Sequence, residues 1–311
     1  MNQTDCDSKA DFQFYLLPVA YVVVMVLGLP GNLAALWFFL VKRRHQRSGS
    51  DVFIINLAVA DVAFLCALPF RIHYHLQRNF WSLDKYTCIF SGVVFHASTY
   101  ASLVFMTCIC VDRYVATLHP LTYMRHRNSR LPVLVSATVW VVYSVAILVF
   151  VLVGPTDGQK EKCFESFSQE EWERRVGPYS ILCLLFGSLL PSVVILACYP
   201  LVARRIAHIR TGTAGKARRI IYAILAIMLL CFLPYHTVHL LHLLHRMGFI
   251  RNCSWADAIY KARRVTMAMV SFNSCLDPLV YYFSTNHCKW RMPRLRWLRP
   301  RRTGVYIIST D

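Results

Sequence analysis

Acidic side chains are scarce in these 311 residues, with 16 Asp and Glu against 34 Lys and Arg, a formal net charge of +18. A charge that basic raises nucleic acid as a partner, but no aromatic-interleaved RNA-binding motif accompanies it, which removes that reading. No metal-spaced His/Cys set, nucleophile elbow or phosphate loop occurs, so no enzymatic reading finds support. The two halves show no self-similarity. That counts against a transporter, the rival in which intramembrane Asp61 and Asp277 would relay ions. A separate soluble domain has no room, because everything between the apolar runs is short. The polar Met1 to Asp11 is too brief to be a cleaved signal peptide.

What abounds is apolar sequence, 56% of the chain, above the usual 45–50% or so of soluble proteins. Seven long apolar stretches lie at about 14–41, 51–76, 86–117, 131–153, 177–203, 219–245 and 265–283. Their lengths are close to or above the ~20 residues a helix needs to cross the hydrocarbon, and lipid leaves the backbone little choice but helix. The expected fold is an all-α membrane protein: an extracellular N-terminus over 1–13, a seven-helix bundle over 14–283, and a short amphipathic eighth helix with a cytoplasmic tail over 284–311. The tail from Lys289 to Arg302 alternates basic with aromatic and aliphatic residues, as a helix on a membrane surface does.

Charge orients the bundle. The loops around 42–47, 125–130 and 204–219 and the tail 289–302 hold 20 Lys and Arg, against 12 on the other side, so those loops face the cytoplasm. The protein is thus expected in the plasma membrane with its N-terminus outside. Asn2-Gln3-Thr4 is a glycosylation acceptor on that side, and Cys288 near the inner surface is a palmitoylation candidate. Cys6, Cys88, Cys163 and Cys253 fall outside, where disulfides persist. Four cysteines allow three pairings, which sequence alone leaves open. Cys88 with Cys163 would pin the longest outer loop over the bundle, and Cys6 with Cys253 would then tie the N-terminus to the last outer connection.

Polar residues inside the spans stand out. Asn32 and Asp61 lie mid-helix, and Ser102, Asn273 and Asp277 come to comparable depth if the helices alternate direction. A buried aspartate must find partners or a proton, so this cluster is either a hydrogen-bonded knot or a site for Na⁺ or a proton. No other cofactor is expected. Pro69, Pro191, Pro234 and Pro278 interrupt helical bonding and suit hinges.

These landmarks in order resemble a rhodopsin-like (class A) G protein-coupled receptor, and the resemblance covers all seven helices. It rests on Asn32, Asp61, Cys88, Asp112-Arg113-Tyr114, Trp140, Pro191 with Tyr199, Cys231-Phe232-Leu233-Pro234 and Asp277-Pro278-Leu279-Val280-Tyr281. The resemblance implies that Arg113 contacts Asp112 at rest and a heterotrimeric G protein when active. It also implies that Tyr199 and Tyr281 swing inward to brace that state, and that Leu121 plugs into the G protein. Arrestin is a further implied partner. Phe232 stands where many relatives carry tryptophan and Met228 where many carry phenylalanine. Asp277 replaces the commoner asparagine, as in a branch with nucleotide, lysophospholipid, protease-activated and proton-sensing receptors. No acid occupies 214–219, so a salt bridge from the sixth helix to Arg113 is not expected.

The outer half of the bundle carries the ligand expectation. Arg71 lies just outward of Pro69, His96 and Tyr100 sit two to three turns into the third helix, and His236, His239, Arg263 and Arg264 occupy the outer sixth and seventh. Lys162, Arg174 and Arg175 border the loop and the fifth helix. Basic groups converging in a half-dry cavity suit a phosphate or carboxylate. Cys163-Phe164-Glu165-Ser166-Phe167 with Glu171-Trp172, and Leu68-Pro69-Phe70-Arg71, resemble the non-Edg lysophosphatidic acid receptors, implying an anionic lysophospholipid. Phe272-Asn273-Ser274-Cys275-Leu276-Asp277-Pro278 resembles the nucleotide receptors, although Met267 stands where many of those carry arginine. The outer histidines 73, 75, 96, 236, 239, 242 and 245 supply a proton-sensing alternative. Basic juxtamembrane residues also attract anionic membrane lipids.

Overall fold

The computed structural model describes residues 10–42, 49–126, 130–153, 162–163, 169–207 and 212–284. Among these, α1 (Gln13–Val41), α2 (Gly49–Leu76), α3 (Lys85–Leu118), α5 (Leu131–Leu152), α6 (Trp172–Arg205) and α7 (Arg218–Arg246) are long and apolar enough to cross a membrane. A short α4 (Pro120–His126) joins α3 to α5. The seventh crossing is made in two pieces, α8 (Cys253–Ser271) and α9 (Asn273–Ser284). Asp257, Lys261, Arg263 and Arg264 make α8 too polar to register by composition.

The helices begin earlier than apolarity alone indicates. The seventh, expected from 265, starts at Cys253 because the Asn252 side chain accepts the Ser254 amide at 2.8 Å and so caps the end with a polar turn. At α3, Asp84 accepts the Thr87 amide at 2.9 Å. Two bonds from Thr87, through its hydroxyl and its amide, hold the Asp84 carboxyl below the usual carboxylate range.

Three crossings contain π-helical turns: Phe38–Lys42 closing the first, Trp172–Val176 opening α6, and Leu185–Leu189 in α6 with Met228–Phe232 in α7. The latter two lie just before Pro191 and Pro234, whose missing amides leave carbonyls that a wider turn accommodates. Two of the four expected hinges, Pro191 and Pro234, therefore coincide with irregular turns, whereas Pro69 and Pro278 lie within regular helix.

Packing places α3 at the centre, against α2, α5, α6 and α7. The core runs from Tyr21, Phe95 and Leu68 at one end to Ile109, Ile220 and Tyr281 at the other. Trp140 donates from Nε1 to Asn56 Oδ1 at 2.7 Å, fastening α5 to α2. Close approach is visible where α1 meets α9: a Cβ on Gly31 would lie 2.9 Å from Pro278 Cγ. Cys88 and Cys163 form a disulfide with Cα atoms 5.7 Å apart. Cys253 is disulfide-bonded, while Cys6, Asn2, Cys288 and the expected amphipathic tail helix lie outside the described residues.

Candidate functional site

Near the disulfide end, α3, α5, α6, α7 and α8 enclose a cavity of about 130 Å³. The α3, α7 and α8 side contributes His96, Tyr100, His239 and Arg263, and the α5 and α6 side contributes Tyr143, Ile147, Phe150 and Cys183. No acid lines it among the described residues. Tyr100 is held by Gly187, where a Cβ would approach to 2.8 Å of the ring. His236 stacks on Tyr100 (centroids 5.4 Å apart, planes at 25°) and on Phe232 (6.1 Å, 13°). His239 stacks on Tyr235 at 6.2 Å.

Basic groups crowd this end. Arg71, 3% exposed, lies with its guanidinium 5.1 Å from the Phe95 ring centroid. Arg71, Arg263 and His239 all act electrostatically on His96. Arg263 meets His242 at 3.0 Å, and Arg264, also buried, donates to the Tyr260 hydroxyl at 2.8 Å. The structure thus brings His96, Tyr100, His239 and Arg263 onto one cavity wall, with Arg71 and His236 packed beside it. Lys162, Arg174 and Arg175 are exposed and do not line the cavity, and Arg174 pairs with Glu170 at 3.2 Å. Their place at the end of the bundle, where side chains reach water, explains the difference. Arg264 faces Tyr260 on its own helix and does not line the cavity.

Midway, a polar cluster is buried to 0–4% exposure. Asp61 Oδ1 accepts from the Ser102 and Ser274 hydroxyls, each at 3.2 Å. Tyr281 donates to Asp61 Oδ2 at 3.0 Å and sits 3.2 Å from Asn32 Oδ1. Asn32 donates to the Ser274 and Gly28 carbonyls at 2.8 and 2.9 Å, tying α1 to α9. Asn273 accepts the Ser274 amide at 2.8 Å. Asp277, 0% exposed, faces Asp61. All the donor atoms are oxygens, which suits a hard cation rather than a transition metal. Among the described residues no group of three or more His, Cys, Asp or Glu has metal-holding geometry.

At the opposite end of α3, Arg113 Nε donates to Asp112 at 3.1 Å. Ser50 from α2 bridges the same Asp112 carboxylate and the Arg113 guanidinium, and Tyr123 from α4 lies 3.3 Å from Arg113. Tyr114 and Tyr199 pack with Leu118 against Val202 and Ile221, and Tyr199 meets Tyr222 edge-on at 5.6 Å. Leu121 is exposed. An Asp-Arg pair at one end of seven crossings, a buried acid cluster in the middle and a cavity under a disulfide at the other end define one architecture. Residues 31–281 match the 7 transmembrane receptor (rhodopsin family). The chain belongs to that family.

The receptor is 30% identical to purinoceptor 1 of Gallus gallus over 98% of this chain and 86% of that relative. It is also 30% identical to purinoceptor 1 of Rattus norvegicus over 97% and 82%, and 32% identical to purinoceptor 4 of Xenopus laevis over 93% and 55%. It is a multi-pass membrane signalling receptor, not an enzyme, and family membership carries coupling to a G protein and a small-molecule ligand. Sequence reasoning missed several of its polar partners. Ser274 stands between Asn273 and the Asp277 motif and was visible as a hydroxyl one turn before that acid. Ser50 and Tyr123 offered no such signal, because their significance arises only where α2, α3 and α4 meet.

Proposed function

We propose that this receptor detects an extracellular lysophospholipid and passes the signal to a heterotrimeric G protein. The observation that carries this reading is the mixed lining of the cavity: Arg263, His96 and His239 from α3, α7 and α8, and Ile147, Phe150 and tyrosine rings from α5 and α6. A phosphate head belongs with the first and an acyl chain with the second, since charge-assisted bonds strengthen away from water and apolar area favours hydrocarbon. At about 130 Å³ the cavity holds part of such a ligand, so the remainder extends past Arg71 or toward the lipid between α5 and α6. Lys162, Arg174 and Arg175 form an outer basic rim on this reading. The N-terminus, with Asn2 and Cys6, faces outward at the plasma membrane, and arrestin is a second cytoplasmic partner.

A nucleotide is the second reading, favoured by the relatives named purinoceptors. The proton-sensing alternative has less support: no carboxylate among the described residues lines the cavity to hold a protonated imidazole. The polar cluster forms a cation site in this reading, with Asp61, Ser102, Asn273, Ser274 and Asp277 holding Na⁺. A bound cation would offset the two facing carboxylates, a pair that is otherwise costly to bury.

The deciding experiment measures G protein activation in cells expressing the chain, exposed in turn to lysophosphatidic acid, adenine and uracil nucleotides, and a series from about pH 6 to 8. A response to the lysolipid alone supports the proposal. A response only to nucleotides, or to pH without added lipid, overturns it.

A further inference from the structure

A second and larger cavity, about 460 Å³, lies at the Arg113 end of the bundle, between the start of α2, the inner half of α3, α4 and the start of α5. It is separate from the cavity that carries the proposed function. Phe53, Val111, Val115 and Leu131 make it apolar, and Asp112 and Tyr123 are also part of its lining. Its α3 wall runs from Thr107 to Val115, about 12 Å at the helical rise of 1.5 Å per residue. A groove lined mainly by apolar side chains over that length has room for a stretch of acyl chain. It opens beside residues that face hydrocarbon, since Leu131 and Leu134 are 54% and 63% exposed.

Charge decides which chain. Arg130 is exposed immediately before Leu131, at the head of α5, where its carbonyl accepts the Leu134 amide at 3.0 Å. The loops at this end carry the chain's excess of Lys and Arg, and basic side chains at a membrane surface attract anionic headgroups. We propose that this groove binds one acyl chain of an anionic phospholipid of the cytoplasmic leaflet, with Arg130 beside the headgroup. Because Asp112 and Tyr123 both contact Arg113, the chain packs against the residues that hold Arg113 in place.

The test uses the full-length receptor in nanodiscs containing phosphatidylglycerol with a photoactivatable acyl chain, and cross-links are mapped by mass spectrometry. Labelling is expected within 107–135, several-fold stronger than from the same chain on phosphatidylcholine. Val111→Trp and Leu131→Trp fill the groove from two walls, and both positions are 38% or more exposed, so the fold has room for either ring. Each is expected to reduce labelling at least about fivefold with the melting temperature kept; if one variant fails to fold, the other decides. Arg130→Gln should bring the two headgroups to parity. Equal labelling by both lipids in the unmodified receptor overturns the anionic assignment. Labels elsewhere, or undiminished labelling in a folded tryptophan variant, overturn the site. Cross-links between two receptor copies through groove residues would place a second copy there instead.

Discussion

Replacing Arg71 by alanine isolates the electrostatic part of ligand recognition. The guanidinium is buried against Phe95 and acts on His96, which lines the outer cavity. A hydrogen bond to a charged group is worth about 1.5–3 kcal/mol, and each 1.4 kcal/mol is about tenfold in affinity. Agonist potency should therefore fall about 10- to 150-fold. Arg71→Lys keeps the charge but loses the planar fork, so it should recover only part of the loss. Folding should survive. Arg71 shares its surroundings with Arg263 and His239, so its removal relieves some like-charge repulsion while losing a ring contact of about 0.5–2 kcal/mol. The assay is a G protein activation dose response with surface receptor counted on the same cells. An unchanged dose response to an anionic agonist, at normal surface level, would remove Arg71 from the site.

Gly31→Ala should lower the melting temperature. The new Cβ would sit 2.9 Å from a rigid Pro278 ring carbon, and overpacking of this kind costs about 1–3 kcal/mol; an unaltered melt would mean that α1 and α9 can move apart freely. Tyr281→Phe takes a hydroxyl from buried Asp61, a loss of about 1–3 kcal/mol if nothing replaces it. Thermal melts with and without Na⁺ should show the variant less stable and more responsive to the ion, and equal stability would contradict the network. Asp84, whose carboxyl is held low by Thr87, stabilises the start of α3 fully above the ordinary carboxylate range and loses that effect as pH falls through its lowered value. Protection of the amides at residues 87–90, relative to their intrinsic exchange rate, should thus fall only in acid, and Asp84→Asn should remove that dependence.

Much of the bundle is written in the sequence because a membrane forces one answer on any apolar run of sufficient length. The first six crossings fall within a few residues of their apolar stretches, except α6, which begins several residues before 177. The seventh is harder to read. Its outer half is a polar face bearing Arg263 and Arg264, recognisable as helix only through the Asn252 cap and its packing. The site was legible where a side chain is costly for its depth, as with Asp61, Asp277 and Arg71. It was not legible where the chemistry is ordinary and only position matters, as with Ser50 bridging Asp112 and Arg113. Lys162, Arg174 and Arg175 are exposed and outside the cavity lining, a distinction that their closeness in sequence to an apolar segment does not carry.

One helix carries all three functional levels. His96 on α3 faces the outer cavity, Ser102 the acid cluster and Arg113 the far end, a span of 17 residues or about 26 Å. A rigid α3 cannot by itself report the presence of a ligand; some neighbour must have two arrangements. The strongest candidate is α7, where His236 stacks on Tyr100 across the cavity wall and on Phe232 within a π-helical turn followed by Pro234. A ligand that displaces His236 from Tyr100 would alter the one stretch of α7 whose backbone is already irregular, and the Arg218 end of that helix should then move. A ligand that fills the cavity and leaves the Tyr100–His236–Phe232 stack intact has no differential contact between the two states. It would bind as a blocker, however tightly, because only a difference in affinity shifts a population.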